Sequence, residues 1–127
     1  MPDKPQGRKL VVKMPAVKEW ALKKNIDVLQ PEKLNDNIIA EIQNTEWDLF
    51  LVASYGNILP KKLLEIPKHG TLNVHPSLLP KYRGSSPIES QILTDDRETG
   101  VTIMLMDEKL DHGPIVSQAR LEIAEED

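Results

Sequence analysis

The 127-residue chain has no cysteine, which excludes disulfides and thiolate chemistry. Histidine is scarce as well. His69, His75 and His112 stand in no metal-ligand spacing, so a zinc site is not expected. No apolar run approaches the roughly 20 residues of a membrane span, and the polar N-terminus has no signal-peptide core, so the expected location is the cytoplasm. Aromatic residues make up 4% of the chain, yet the hydrophobic 39% and charged 28% are ordinary for a globular protein. The length suits one domain with a core of its own.

Charge is present but unevenly spread. Residues 1–24 carry seven Lys or Arg against Asp3 and Glu19, a balance of +5, whereas the remainder has nine basic and eighteen acidic residues, a balance of −9. A basic arm on an acidic body suits contact with an anion such as nucleic-acid phosphate, and it equally suits a solvated charged end.

Along the chain, residues 1–13 read as a loop, with two prolines and a glycine among charges. From Pro15 the spacing of Ala16, Val17, Trp20 and Ala21 predicts an amphipathic helix. Residues 26–31, IDVLQP, read as a short strand, and Leu34, Ile38, Ile39 and Ile42 form the stripe of a second helix. The nearly continuous apolar run WDLFLVASYG, 47–56, predicts a strand buried on both faces of a parallel sheet. A short helix follows in 59–67, then the strand GTLNVH, 70–75, bounded by Gly70 and Pro76. Ser86, Pro87 and Glu89 fit a capped helix start, with that helix running to about Leu93. VTIMLMD and PIVSQARLEI read as two further strands separated by EKLDHG. Strands alternating with helices predict parallel pairing in an α/β fold, and the chain has no internal repeat or low-complexity tract.

Three polar residues stand where these strands end. Asn73 and His75 are two apart, hence on one face of their strand, and Asp111 lies in the loop leaving another. Open α/β sheets bind ligands outside the C-terminal ends of their strands. A carboxylate beside an imidazole orients the ring and favours positive charge on it, and a neighbouring amide can donate to an oxygen that gains negative charge. Together they suit attack on a carbonyl carbon without a covalent nucleophile, and Ser77 lacks the G-x-S-x-G elbow that would make it one. Taken alone, the same three residues also fit a capped turn, a packed histidine and a loop carboxylate.

The longer stretches NVHPSLLPKYRGSSPIESQIL, 73–93, and ETGVTIMLMDEKLDHGPIVSQ, 98–118, closely resemble the 10-formyltetrahydrofolate-dependent formyltransferases, with their N-x-H strand end, S-L-L-P loop and D-x-G loop. The resemblance runs from about residue 2 to the C-terminus. It implies a Rossmann-like open, mostly parallel sheet with flanking helices, and catalytic roles for Asn73, His75 and Asp111. Ser77, Leu78, Leu79 and Pro80 match the loop that lines the folate site. The stretch PDKPQGRKLVVKMPAVKEWA is similar to the basic loop and following helix of those members that formylate methionine on initiator tRNA. There Arg8 and Lys9, with Lys13 beside them, match a loop that approaches the acceptor stem. The implied reaction is attack by the methionine α-amino group on the formyl carbon of 10-formyltetrahydrofolate, with no metal. Formyl transfer to a nucleotide or amino-sugar amine is the first alternative, and an inactive fragment that binds folate without turnover is the second.

The sequence departs from the family at three points. It starts at the basic loop, so the first β-α-β unit and its central strand are expected to be missing, leaving an unpaired sheet edge. It stops at Asp127, ahead of the family's C-terminal barrel, and His112 stands where many relatives have Thr. The expected organisation is one partial catalytic domain, with residues 1–14 as basic loop and 15–127 as α/β core.

Overall fold

The computed structural model describes residues 3–6, 11–109 and 111–124. The chain forms two compact units, residues 1–44 and 45–127. In the first unit, β1 (Lys4–Gln6) and β2 (Val11–Lys13) pair antiparallel, Lys4 opposite Lys13. The segment read as loop therefore holds a short ribbon, which its prolines and charges hide. Asp3 draws it toward the helix beyond, accepting from Lys18 at 2.8 Å and from Gln30 at 3.0 Å.

Helix α1 spans Ala16–Lys23, and Pro15 precedes it without loss because the first turn has no use for its missing N–H. Asn25 in the left-handed region (φ 55°) ends it. There the Asn25 and Ile26 amides donate to Leu22 and Ala21, closing a Schellman motif. Only part of the expected apolar face is inward: Ala21 is buried, but Val17 is 78% exposed and Trp20 57%. Residues 26–31 contain no strand, since α1 is followed by an irregular link. Helix α2, Asp36–Gln43, starts at Asn35, whose side chain accepts from the Ile38 amide at 3.1 Å. Here the stripe holds, with Ile39 buried and Leu34, Ile38 and Ile42 half-buried.

The second unit is a four-stranded sheet with flanking helices, in the order β3-β4-β5-β6. Its elements are β3 (Phe50–Ala53), α3 (Lys61–Leu64), β4 (Thr71–His75), α4 (Pro87–Leu93), β5 (Glu98–Leu105) and β6 (Ile115–Glu122). The expected open α/β architecture is present, but the sheet is mixed rather than mostly parallel: β3 and β4 run parallel, and the other two pairings are antiparallel. The chain leaves β4 at His75, which lies opposite Thr102, and the residues of β5 before Thr102 extend past that end. Strand β5 thus enters where β4 exits, and helix–strand alternation alone carries no information on which end a connection returns to. Strand β3 is at the sheet's edge and not buried on both faces, with Leu51 66% exposed.

The centre of this unit is packed by polar as well as apolar side chains. Met104, Thr71, Thr102 and Ser77 are all less than 2% exposed. The Thr71 hydroxyl donates to the Leu64 carbonyl of α3 at 3.0 Å. The Thr102 hydroxyl donates to the Ser77 carbonyl at 2.6 Å, and it accepts from the Leu79 amide and from Gln118. Gln118 also donates to the Leu79 carbonyl, so the segment after β4 is tied down on β5 and β6. Gly100 allows that approach, because a Cβ there would meet the Ala119 carbonyl at 2.3 Å and Leu78 at 2.5 Å. Helix α4 begins after Ser86 as expected, although the serine hydroxyl makes no capping bond.

Candidate active site

Asn73 and His75 are on the same face of β4, and His75 is its last residue. The loop after β5 brings Asp111 to them from 36 residues downstream of His75. Asp111 has φ 47°, and a Cβ on Gly113 would lie 1.8 Å from the Leu105 carbonyl oxygen, so the chain can double back this tightly only with glycine there. His75 is 4% exposed and Asp111 7%.

The contacts among the three are specific. Asn73 Nδ2 donates to Asp111 Oδ1 at 3.3 Å, and His75 Nδ1 lies 3.7 Å from the same oxygen. Asp111 Oδ2 accepts from the Gly84 amide at 2.8 Å. His75 Nε2 lies 2.8 Å from the Tyr82 carbonyl, which can only accept, so Nε2 carries a proton. The Asn73 amide has two N–H bonds and spends one on Asp111, which leaves one donor for another acceptor.

All three residues line a cleft of about 450 Å³ beyond the strand ends. Tyr55, Ile58 and Leu59 from the loop after β3, together with Ile88 and Met106, give it an apolar wall. The cleft therefore pairs an apolar wall with a few convergent polar groups, the usual make-up of a small-molecule site.

The other expected site residues are placed differently. Ser77 is fully buried and donates to the Lys81 carbonyl, and Leu79 is 6% exposed. Leu78 lines a second, smaller pocket with Lys81 and Tyr82 rather than the cleft. None of the four residues Ser77–Pro80 lines the cleft in this structure. Arg8 and Lys9 lie outside the described residues, and Lys13 is exposed at the end of β2. His112 is exposed, with Nδ1 3.5 Å from Asp107. Sequence reading missed the backbone groups of Tyr82 and Gly84. Their one signal was the Tyr-Arg-Gly turn, whose glycine and position before a helix suggest a tight reversal.

Among the described residues there is no group of three or more His, Asp or Glu able to hold a metal ion, and no helix is long and apolar enough to cross a membrane. An amide, an imidazole and a carboxylate thus converge at a cleft beyond the strand ends of an open α/β sheet, the place where such sheets bind ligands. The chain belongs to the formyl transferase family, whose model matches residues 1–127. It is 53% identical to a methionyl-tRNA formyltransferase of Halalkalibacterium halodurans over 127 residues, 99% of this chain and 40% of that protein. It is 52% identical to the methionyl-tRNA formyltransferase of Listeria innocua, covering 99% of this chain and 41% of that one. Among solved structures, phosphoribosylglycinamide formyltransferase from Bacillus halodurans superposes with a TM-score of 0.77 at 30% identity, covering 90% of this chain and 64% of the other. The chain thus spans about 40% of the length of the curated relatives it matches.

Proposed function

We propose that this chain carries the catalytic strand ends of an enzyme that transfers a formyl group from 10-formyltetrahydrofolate to the α-amino group of methionine on initiator tRNA. The observation that carries the reading is the convergence of Asn73, His75 and Asp111 on one cleft, in a chain about half identical to methionyl-tRNA formyltransferases. The folate supplies the activated formyl group. Asn73 offers its remaining N–H to the formyl oxygen, where negative charge gathers as the amine attacks. As the amine attacks, it gives up a proton that His75 can relay through Nδ1 to N10 of the folate; the bond between the formyl carbon and N10 then breaks, and tetrahydrofolate leaves. Asp111 receives bonds from Asn73 and Gly84, orients both neighbours and balances positive charge on the imidazole.

In this reading the apolar wall takes the flat ring system of the donor, and the loop Ser77–Pro80 shapes the site from behind the strand ends. Residues 1–14 are then the basic segment, with Arg8, Lys9 and Lys13 as its contacts to acceptor-stem phosphate. The 15–127 segment is then the catalytic α/β core. Solved relatives with smaller amines, a phosphoribosylglycinamide formyltransferase and a likely sugar N-formyltransferase, are 30% and 32% identical, which favours the tRNA substrate.

The test is direct. Radiolabelled formyl transfer from 10-formyltetrahydrofolate is measured with charged initiator tRNA, glycinamide ribonucleotide and an amino sugar nucleotide, beside a folate-binding titration. Transfer to the tRNA supports the reading. Transfer confined to either small amine, or folate binding with no transfer at all, overturns it.

A further inference from the structure

Two bonds in the site come from one short turn. The Tyr82 carbonyl accepts a hydrogen bond from His75 Nε2 and the Gly84 amide, at the cleft wall, donates to Asp111, so residues 82–84 hold both members of the pair. Tyr82 itself is in the left-handed region, at φ 58°, a backbone conformation that a residue with a Cβ holds only when its surroundings impose it. The restraint is visible at the other end of the side chain. Its hydroxyl donates to Asp96 Oδ2 at 2.8 Å and lies 2.7 Å from the Thr94 hydroxyl. The Lys81 ammonium reaches the same Asp96 oxygen at 2.7 Å and stands 4.9 Å from the centre of the Tyr82 ring. Thr94 and Asp96 follow α4, and the Asp96 amide donates back to Gln91, so this anchor belongs to a braced segment.

We infer that Tyr82 is a positioning residue: anchored to Asp96 through its phenol, it holds the proton of His75 on Nε2 through its carbonyl, which leaves Nδ1 as the nitrogen that exchanges a proton during formyl transfer. The inference deepens the function proposed above and rests on it for the reaction, but the tautomer is a property of the chain by itself. Because a carbonyl cannot donate, Nε2 keeps its proton in both charge states of the ring. The side facing Asp111 is then the one whose protonation changes. A phenylalanine at position 82 keeps the ring and the carbonyl but releases the anchor, so the carbonyl loses its fixed direction.

The experiment uses the ¹⁵N-labelled full chain and reads the ring nitrogens of His75 across a pH titration, in wild type and in Tyr82→Phe. Expected is a wild-type ring in which Nε2 stays protonated and Nδ1 takes the large titration shift. In Tyr82→Phe the other tautomer gains population, and the Nε2 proton exchanges about ten-fold faster, as a lost restraint on a buried proton requires. A neutral wild-type ring protonated on Nδ1, or an unchanged tautomer ratio in the variant, overturns the inference. Should Tyr82→Phe fail to fold, Asp96→Ala removes the carboxylate end of the same anchor and is held to the same readout. With turnover measurable, Tyr82→Phe is expected to lower kcat roughly ten-fold with KM for the formyl donor within about two-fold; an unchanged kcat also overturns it. If wild type transfers no formyl group, the proposed function falls, while the ring tautomer still decides this inference.

Discussion

His75 has both ring nitrogens committed, one to the Tyr82 carbonyl and the other toward Asp111, and it is almost closed to solvent. A histidine needed only to fill space would not require that pair of partners. Its removal should therefore separate binding from chemistry. In the active protein, His75→Ala is expected to lower kcat by at least about 10²-fold, the usual contribution of a positioned proton-transfer or charge-stabilising group. Folate affinity should stay within a few-fold, because the apolar wall of Tyr55, Ile58 and Ile88 is untouched. Steady-state kinetics and a folate titration check the two halves. More than about a tenth of wild-type activity in the variant would remove His75 from the mechanism. Asn73 stands in a similar position, since one well-placed donor to a developing oxyanion is worth roughly 3 to 4 kcal/mol.

At the scale of elements, two devices hold the site, and each has a measurable signature. The first is the return after β5. A methyl group on Gly113 would overlap the Leu105 carbonyl, and backbone cannot yield as a flexible side chain can. Gly113→Ala should cost roughly 1 to 3 kcal/mol, typical of forced overpacking, read as a lower midpoint in urea denaturation. A midpoint equal to wild type would mean that the loop relaxes freely. The second device is the Lys81–Tyr82–Asp96 cluster. The Lys81 ammonium and then the Tyr82 hydroxyl hold the Asp96 carboxyl below the ordinary aspartate value of 3.8. A carboxylate whose value is depressed on folding stabilises the fold above its unfolded value and loses that contribution as pH falls through the folded one. Wild type should thus melt higher than Asp96→Asn above about pH 5, and the gap should close below the ordinary value. A gap independent of pH would assign the difference to packing. The sequence disclosed these elements unevenly. Asn73 and His75 were legible because period-two geometry forces them onto one face, and Asp111 because its motif was specific. The mixed pairing was hidden, since a helix between strands does not say at which end the next one enters. The inward turn of Ser77 and Leu79 was hidden as well, because it depends on Thr102 and Gln118, more than twenty residues away. The Asn25 cap, although local, was not anticipated in the sequence.

The whole molecule adds an electrostatic division that no single element has: +5 over residues 1–24 and −9 over the rest. A uniformly acidic protein would repel a polyanion along its full surface. Here the positive charge is gathered in the first 24 residues, a balance that suits a large phosphate-bearing substrate better than a small amine. If Arg8, Lys9 and Lys13 meet tRNA phosphates, each contact releases condensed counterions, and affinity falls with salt in proportion to their number. Replacing Arg8 and Lys9 together by alanine should then weaken initiator tRNA binding and flatten the plot of log affinity against log salt by up to about two units, one for each lost contact. Folate affinity should be unchanged, since the described residues that line the cleft all fall between Val52 and Asp111. Filter binding at several salt concentrations measures the slope, and a folate titration supplies the control. A double variant that keeps the wild-type slope would make the segment a solvated end, and tRNA would lose its electrostatic claim over the smaller amines. A variant that weakens folate and tRNA alike would point instead to a general loss of fold.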